Sequence, residues 1–128
     1  MDKKLAFLIC PVRGADQTNV SKIVNDLENK GWDIHYPPRD TNQVDKTGYR
    51  ICCDNMLAIK KAEMIFIYWD GKSTGSLFDA GMAFALGKPI TIISVPELMG
   101  TKSFQDMFTE WENRRINSGK YCTSGNLW

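Results

Sequence analysis

The sequence contains one histidine and four cysteines in 128 residues. The cysteines (Cys10, Cys52, Cys53 and Cys122) form no CxxC pair, and His35 has no second histidine to complete a zinc site. The adjacent pair Cys52 and Cys53 is more typical of two core residues on one helix than of a redox pair. We therefore expect neither a metal site nor a disulfide framework.

The chain also lacks a strong net charge and any long apolar run. Sixteen basic residues against 15 acidic ones leave a net charge of +1, which provides no general attraction for nucleic acid or an acidic membrane. The first apolar run, residues 5–10, is too short for a signal segment or a membrane span. We therefore expect a cytoplasmic protein, without nucleic-acid or membrane partners, that forms one domain over residues 1–128.

Short apolar runs alternate with amphipathic segments along the chain. The runs predict strands at 5–10, 32–36, 64–68 and 89–95, and helical spacing predicts helices around 20–27, 49–62, 75–86 and 104–111, with 39–47 as a loop and 117–128 as an irregular tail. This alternation predicts an α/β fold with right-handed crossovers. We expect a flavodoxin-like (Rossmann-like) three-layer sandwich with a parallel sheet of four to five strands in the order 2-1-3-4.

Three polar loops follow the predicted strands. Such sheets bind ligands beyond the carboxyl ends of their strands, at the point where the winding direction switches. That rule selects residues 11–19, 37–47 and 69–75, which hold most of the unusual polar residues of the chain. The sequence therefore predicts a small-molecule site formed by these loops.

The third loop leads directly into a helix. Amides at a helix start have no internal partner and can bind an anion, and Ser73, Thr74 and Ser76 add hydroxyl donors. The order of residues differs from the GxxxxGK[ST] of a Walker loop. The alternative is that Ser73 or Thr74 only caps the helix.

Asp79 lies one turn into that helix, on a segment otherwise nearly free of charge. The helix dipole favours an ionised carboxylate there, and ionisation is what a carboxylate nucleophile requires. The alternative is an acidic residue that merely complements the dipole.

Basic and aromatic residues in or near the three loops suit a phosphorylated nucleoside. Arginines can clamp a phosphate, and aromatic rings can stack on a base, although both types also occur as solvated or core residues. The candidates are Arg13 beside Gly14, Arg39, Arg50, Tyr36 and Trp69.

The segments 7–11 and 75–89, together with Asp54 eight residues before Ala62, resemble the nucleoside 2-deoxyribosyltransferase family, which includes deoxynucleoside 5′-monophosphate N-glycosidases. That family shares a strand ending in a proline-containing loop, a distal aspartate and the pattern D/S-x-G-x-x-x-E-x-G-x-A-x-A-x-G-K-P. The resemblance covers about residues 5–93 and is most specific at 75–89. It implies the same flavodoxin-like fold.

The resemblance also implies roles for individual residues. Asp79 occupies the position of the glutamate that attacks the anomeric carbon, and Asp54 matches an aspartate that positions or protonates the base. Ser73 stands where the family binds the sugar, and Gln43 corresponds to a base-recognising glutamine. Residues 69–73 resemble the nucleotide-binding loop of the SLOG superfamily. The resulting candidate substrate-binding residues are Pro11, Arg13, Gly14, Arg39, Gln43, Asp70, Ser73, Gly75 and Ser76.

One departure concerns the nucleophile itself, because aspartate is one methylene shorter than glutamate. The reach falls by about 1.5 Å, and a misplacement of that order can cost about a hundredfold in rate. We expect cleavage or transfer of the N-glycosidic bond of a nucleoside or nucleoside 5′-monophosphate, without metal or organic cofactor. The alternatives are a non-catalytic nucleotide-binding or sensing module and an NAD-type glycohydrolase.

Apolar helix positions predict a homo-oligomer, either a dimer or a tetramer built from two dimers. More apolar helix surface is available than a small sheet can cover, and the resemblance implies sites completed by a neighbouring subunit's C-terminal residues. The positions are Met56, Ile59, Met82 and Phe84, together with Tyr121, Leu127 and Trp128 in the tail.

Overall fold

The four strands among the described residues form one parallel sheet in the order β2-β1-β3-β4. The computed structural model describes residues 3–12 and 17–118. Its elements are β1 (Lys4–Ile9), α1 (Gln17–Asn29), β2 (Trp32–His35), α2 (Pro37–Asp40), α3 (Tyr49–Lys61), β3 (Met64–Tyr68), α4 (Thr74–Ala85), β4 (Ile90–Ser94) and α5 (Phe104–Ser118). The predicted fold class and strand order are confirmed.

The apolar strands are buried on both faces, as their continuous hydrophobic runs predict. Phe7 of β1 lies in register with Ile65 of β3, and their face of the sheet packs against α3, α4 and α5. Ala6 and Leu8 belong to the opposite face, which packs against α1. Helices on both sides of the sheet give three layers and leave the strand ends open for a site.

Helix ends follow the local sequence. Gly31 after α1 and Gly87 after α4 adopt φ values of 103° and 68°, the left-handed conformation that glycine accepts without strain. At the start of α4, the side chain of Ser73 accepts a hydrogen bond from the Ser76 amide at 3.2 Å. The capping role considered for Ser73 is therefore present.

The structure corrects the sequence prediction in two segments. The predicted loop 39–47 overlaps the short helix α2, in which Pro37 supplies a favourable first position and the Asp40 carboxylate accepts from the Tyr36 amide at 2.8 Å. The predicted irregular tail begins too early, because α5 runs to Ser118. Tyr121, Leu127 and Trp128 lie outside the described residues.

Helix α5 is held beside the edge strand β4 by side chains on its inner face. Trp111 is buried, and its indole N–H donates to the Lys88 carbonyl at 3.2 Å. Glu112 accepts a hydrogen bond from the backbone amide of Ile92 in β4. These contacts hold the last described helix beside the outermost strand.

The surface differs from the predicted oligomer patch at two positions. Ile59 is completely buried in the core and offers no surface to a partner, and Met82 is partly buried against that core. Met56 and Phe84 remain 40% and 41% exposed. Within the described residues, every helix is too short or too polar to cross a bilayer.

Candidate active site

A cleft of about 570 Å³ opens beyond the carboxyl ends of β1 and β3, where the winding direction of the sheet switches. It is formed by the loops after these strands, the start of α4 and one face of α3. The lining residues are Cys10, Val12, Gln43, Ile51, Cys52, Asn55, Asp70, Lys72, Ser73, Thr74, Gly75, Ser76, Phe78 and Asp79. The cleft therefore lies where the topology predicted it.

Asp79 is the buried acid of this cleft, with 8% of the residue exposed. It accepts a hydrogen bond from Asn55 Nδ2 at 3.4 Å. Burial raises the pKa of Asp79 to about 6, and the hydrogen bond from Asn55 opposes that rise. We expected the helix dipole to favour the ionised form, but the effect of burial on the pKa is larger. The carboxylate is still mainly anionic at neutral pH.

Asn55 belongs to a row of hydrogen-bonded side chains that runs from Asp79 through Asn55 and Thr41 to His35. Its Oδ1 accepts from Thr41 Oγ1 at 2.7 Å, and Thr41 Oγ1 lies 2.7 Å from His35 Nε2. The His35 ring is stacked on Phe7, with the ring centroids 5.2 Å apart. Thr41 and Asn55 are both buried, at 4% and 5% exposure.

The loop after β3 is shaped by its own side chains. Asp70 Oδ1 accepts from the amides of Lys72 and Ser73, each at 2.8 Å. Partial burial works against ionisation of Asp70, but these amides lower its pKa, so the side chain is an anion in the cleft wall. Ser76 Oγ donates to Ser73 Oγ at 2.9 Å, so these two hydroxyls are partly engaged with each other.

The helix start beside this loop is accessible. Gly75 lines the cleft, and a Cβ added there would meet no atom within 4 Å. Thr74 is exposed and Lys72 lines the same wall. Amides at a helix start combined with a nearby ammonium group suit an anionic part of a ligand.

Gln43 also lines the cleft, but its amide group is anchored to the backbone. Its Nε2 donates to the carbonyls of Pro37 and Thr41 at 3.0 and 3.2 Å. Pro11 is buried next to the cleft, and its carbonyl accepts from Gln17. Arg13 and Gly14 lie outside the described residues.

The structure places Asp54 away from Asp79. Its side chain is 45% exposed, its carboxylate lies 3.9 Å from Arg50 Nε, and it is not among the residues that line the cleft. Asp54 instead lines a second depression of about 440 Å³, hereafter the outer depression. The residues of the outer depression are Leu5, Ala6, Asp33, Ile34, His35, Arg39, Asp40, Asp54, Leu57, Ala58 and Lys61.

Arg39 lies in the outer depression as well and is committed to local partners. It pairs with Asp40 at 2.8 Å and with Glu28 at 3.3 Å, and it donates to the Ile34 carbonyl at 2.9 Å. Arg50 donates to the carbonyls of Asn42 and Val44, which ties down the preceding loop. The structure therefore does not bring these arginines into the cleft as phosphate clamps.

The two aromatic candidates for base stacking belong to the core. Tyr36 and Trp69 are both buried, and the Tyr36 hydroxyl donates to Gln17 Oε1. The Trp69 indole donates to the Ser73 carbonyl at 3.0 Å and so supports the loop from behind. Among the exposed rings, Phe78 lines the cleft instead.

Sequence reasoning missed Asn55, Thr41, Cys52 and Lys72 as site residues. Asn55 had a usable signal, because it lies four residues before the buried Ile59 and therefore on the same helix face. Thr41 lies in a segment without periodicity and gave no signal. Within the described residues, no group of three or more histidine, cysteine, aspartate or glutamate side chains could hold a metal ion.

The fold and the site define an α/β domain with a buried carboxylate at its topological switch point. The chain belongs to the nucleoside 2-deoxyribosyltransferase family, because the sequence model of that family matches residues 7–117. Family membership supports nucleoside or nucleotide N-glycosidase or deoxyribosyltransferase activity on a small-molecule nucleoside or nucleotide.

A solved structure with a similar fold is that of Clostridium botulinum CMP N-glycosidase, BcmB. It shares 21% sequence identity with this chain at a TM-score of 0.56, and the match covers 70% of each chain. At this identity the likeness supports the fold. No curated protein sequence shows a significant match.

Proposed function

We propose that the protein cleaves or transfers the N-glycosidic bond of a nucleoside or nucleoside 5′-monophosphate with Asp79 as its nucleophile. The observation that carries the proposal is a buried carboxylate in the cleft at the carboxyl edge of the sheet, with its pKa raised by burial to about 6. Such a carboxylate is anionic at pH 7 yet poorly solvated. Removal of solvent makes an anion a better nucleophile.

The proposed reaction follows the retaining route of glycosidases. A carboxylate oxygen of Asp79 bonds to the anomeric carbon, the carbon–nitrogen bond breaks, and its electron pair leaves with the base, which takes up a proton from solvent. Water then attacks the glycosyl ester and releases the sugar, or a second base attacks and forms a new nucleoside, and in either case the attacking group gives a proton back to solvent. Either step returns Asp79 to its carboxylate form. The proposal gives Asp54 no part, because Asp54 lies outside the cleft.

The start of α4 favours a phosphorylated substrate. Gly75 and Thr74 line the cleft at the helix start, and Lys72 supplies a positive charge on the same wall. Because aspartate is one methylene shorter than glutamate, the loops of the cleft must hold the anomeric carbon closer to the backbone of Asp79. An inactive protein with the same cleft would be a nucleotide-binding module.

The decisive experiment measures base release from a panel of nucleosides, nucleoside 5′-monophosphates and NAD. We expect release from at least one nucleoside or monophosphate, with a monophosphate bound about tenfold to a hundredfold more tightly than its nucleoside, since one charge-assisted hydrogen bond contributes about 1.5–3 kcal/mol. Release from NAD alone would instead identify a glycohydrolase. Binding without release of any base would identify a sensing module.

Asp79→Asn tests the nucleophile. The amide has nearly the same shape but cannot attack the anomeric carbon, so base release should fall at least a thousandfold while calorimetry still detects ligand binding. Asp79→Glu restores the side-chain length typical of the family and should retain base release. The matched control is Asp26→Asn on the exposed side of α1, which should release base like the wild type. Undiminished release by Asp79→Asn would eliminate the mechanism.

A further inference from the structure

We propose that Thr41 and His35 are positioning residues that hold the Asn55 amide with its N–H group toward Asp79. The inference rests on the proposed role of Asp79 as nucleophile. It adds two side chains, neither of which lines the cleft with Asp79, to the machinery that prepares this carboxylate.

The direction of the hydrogen bonds follows from the single hydroxyl hydrogen of Thr41. That hydrogen is donated to Asn55 Oδ1 at 2.7 Å. The contact of 2.7 Å to His35 then requires that His35 Nε2 carries a hydrogen and donates it to Thr41 Oγ1. With its Oδ1 engaged by Thr41, Asn55 presents Nδ2 to Asp79 Oδ2 at 3.4 Å.

The row is held in a fixed place. Thr41 and Asn55 are at least 95% buried, and the Thr41 amide donates to the Pro37 carbonyl at 3.1 Å. The Thr41 carbonyl accepts from Gln43 at 3.2 Å. The His35 ring lies parallel to Phe7 within 8°. Because water has little access to Thr41 and Asn55, these two side chains depend on their neighbours in the row for hydrogen-bond partners.

The orientation of Asn55 matters because its two ends have opposite effects on a carboxylate. An N–H group stabilises the anion, whereas a carbonyl oxygen in the same place would repel it. The Asn55 bond also engages Oδ2 of Asp79 and leaves Oδ1 available for attack. Within the described residues, Thr41 is the hydrogen-bond donor to Asn55 Oδ1, so loss of its hydroxyl removes the bond that favours the productive orientation of the amide from that end.

The other titratable groups near the row do not take over the role of Thr41 in orienting Asn55. Cys10 and Cys52 face Asp79. Burial is the main cause that raises the pKa of each thiol, to about 12 for Cys10, and the negative charge of Asp79 raises it further. Burial lowers the pKa of His35 against the effect of Asp40, so the ring is neutral at pH 7. The charged groups that act on His35 from neighbouring segments are Asp33, Arg39, Asp40 and Asp54.

The test is Thr41→Val, which keeps the size of the side chain and removes its hydroxyl. We expect the pKa of Asp79, followed by ¹³C NMR of the carboxyl carbon in the unliganded protein, to rise by about one pH unit or more. The acidic limb of kcat/KM should move to higher pH by the same amount. An unchanged carboxyl titration in a folded Thr41→Val protein would overturn the inference.

Two variants complete this experiment. Thr41→Ser keeps the hydroxyl and should return the pKa of Asp79 close to its wild-type value, whereas a value equal to that of Thr41→Val would contradict the proposal. The matched control is Thr109→Val in α5, whose hydroxyl donates to the Gln105 carbonyl away from the cleft. That substitution should leave the Asp79 titration unchanged.

The position of the His35 ring hydrogen can be measured in the wild-type protein, and this test does not depend on the folding of any variant. At pH 8, ¹⁵N NMR should place the His35 hydrogen on Nε2, and a hydrogen on Nδ1 would overturn the proposal. The carboxyl titration is measured without substrate. A failure of the proposed function, seen as no base release by the wild type, is therefore distinguishable from a failure of this positioning role.

Discussion

Asp79 joins two properties that oppose each other in one side chain, because it is ionisable and almost completely buried. A buried carboxylate destabilises the folded protein at every pH at which it is ionised. Its presence in a folded chain therefore indicates a role other than stability. Asp106 is the opposite case. Its carboxylate accepts from the Ser103 hydroxyl and from the amides of Met99 and Gly100, and these bonds lower its pKa.

The pKa of Asp79 predicts how stability changes with pH. Its folded value of about 6 exceeds the unfolded value of about 3.9, so the folded state binds the proton more tightly between these values. The free energy of unfolding should therefore fall as pH rises from about 4 to about 6, by up to about 3 kcal/mol from this group. Asp79→Asn should be more stable than the wild type at pH 7.5, and the difference should shrink toward pH 4.

Urea unfolding at several pH values checks this prediction. Asp106→Asn serves as the contrasting variant, because neutralising a carboxylate with a lowered pKa should destabilise the protein at pH 7.5. A lower unfolding free energy for Asp79→Asn at pH 7.5 would mean that Asp79 is a structural partner after all.

The residues of the site were predictable where a local pattern surrounds them. Asp79 and Ser73 follow from a loop that enters a helix, and both line the cleft. The choice between Asp54 and Asn55 depends on rotation about the axis of α3, because successive helix residues point about 100° apart. A spacing counted from Ala62 is not accurate enough to decide between neighbours, whereas the packing of Asn55 and Ile59 into the core decides it.

At the scale of elements, the loop from β3 to α4 owes its shape to Gly71. This residue adopts a φ of 80°, and a Cβ placed on it would lie 2.9 Å from Pro96 Cγ. The proline ring cannot easily move away, since its side chain is closed onto the backbone. The tight turn carries Asp70 and Ser73 into the cleft wall.

A pair of glycine substitutions should have opposite effects on stability. Gly71→Ala should lower the free energy of unfolding by about 1–2 kcal/mol from the left-handed backbone alone, with more from the contact with Pro96. Gly81→Ala lies within α4, where an added Cβ meets no atom within 4 Å, and should raise stability by up to about 1 kcal/mol. Urea midpoints of the two variants measure both effects, and equal shifts would refute the argument.

The regular elements were largely predictable because their periodicity is strong. The predicted third strand coincides with Met64–Tyr68, and the helix ends at Gly31 and Gly87 follow a general rule of glycine conformation. The short helix α2 was not predictable in the same way. It depends on a proline start and on a bond from the Tyr36 amide to Asp40, which offer no apolar repeat to read.

At the scale of the whole molecule, we predict a homodimer, or a tetramer built from two dimers, formed through exposed apolar helix residues. Phe84, Phe104 and Met107 border an apolar groove of about 270 Å³ between α4 and α5, and Met56 is exposed on α3. Light scattering at micromolar concentration should give at least twice the monomer mass of 14.5 kDa. Met56→Glu should weaken association and Met99→Glu, outside the helices, should not. A monomeric mass for the wild type would refute this prediction.

The bond between Glu112 and the Ile92 amide has a consequence for how copies of this chain can meet. A strand at the border of a sheet offers unpaired backbone groups that invite strand addition and uncontrolled aggregation. Here the Glu112 carboxylate already occupies an outward amide of β4, and β2 at the opposite border is only four residues long. Growth of the sheet from molecule to molecule is therefore disfavoured at both borders, which leaves the exposed helix residues as the surface for the predicted assembly.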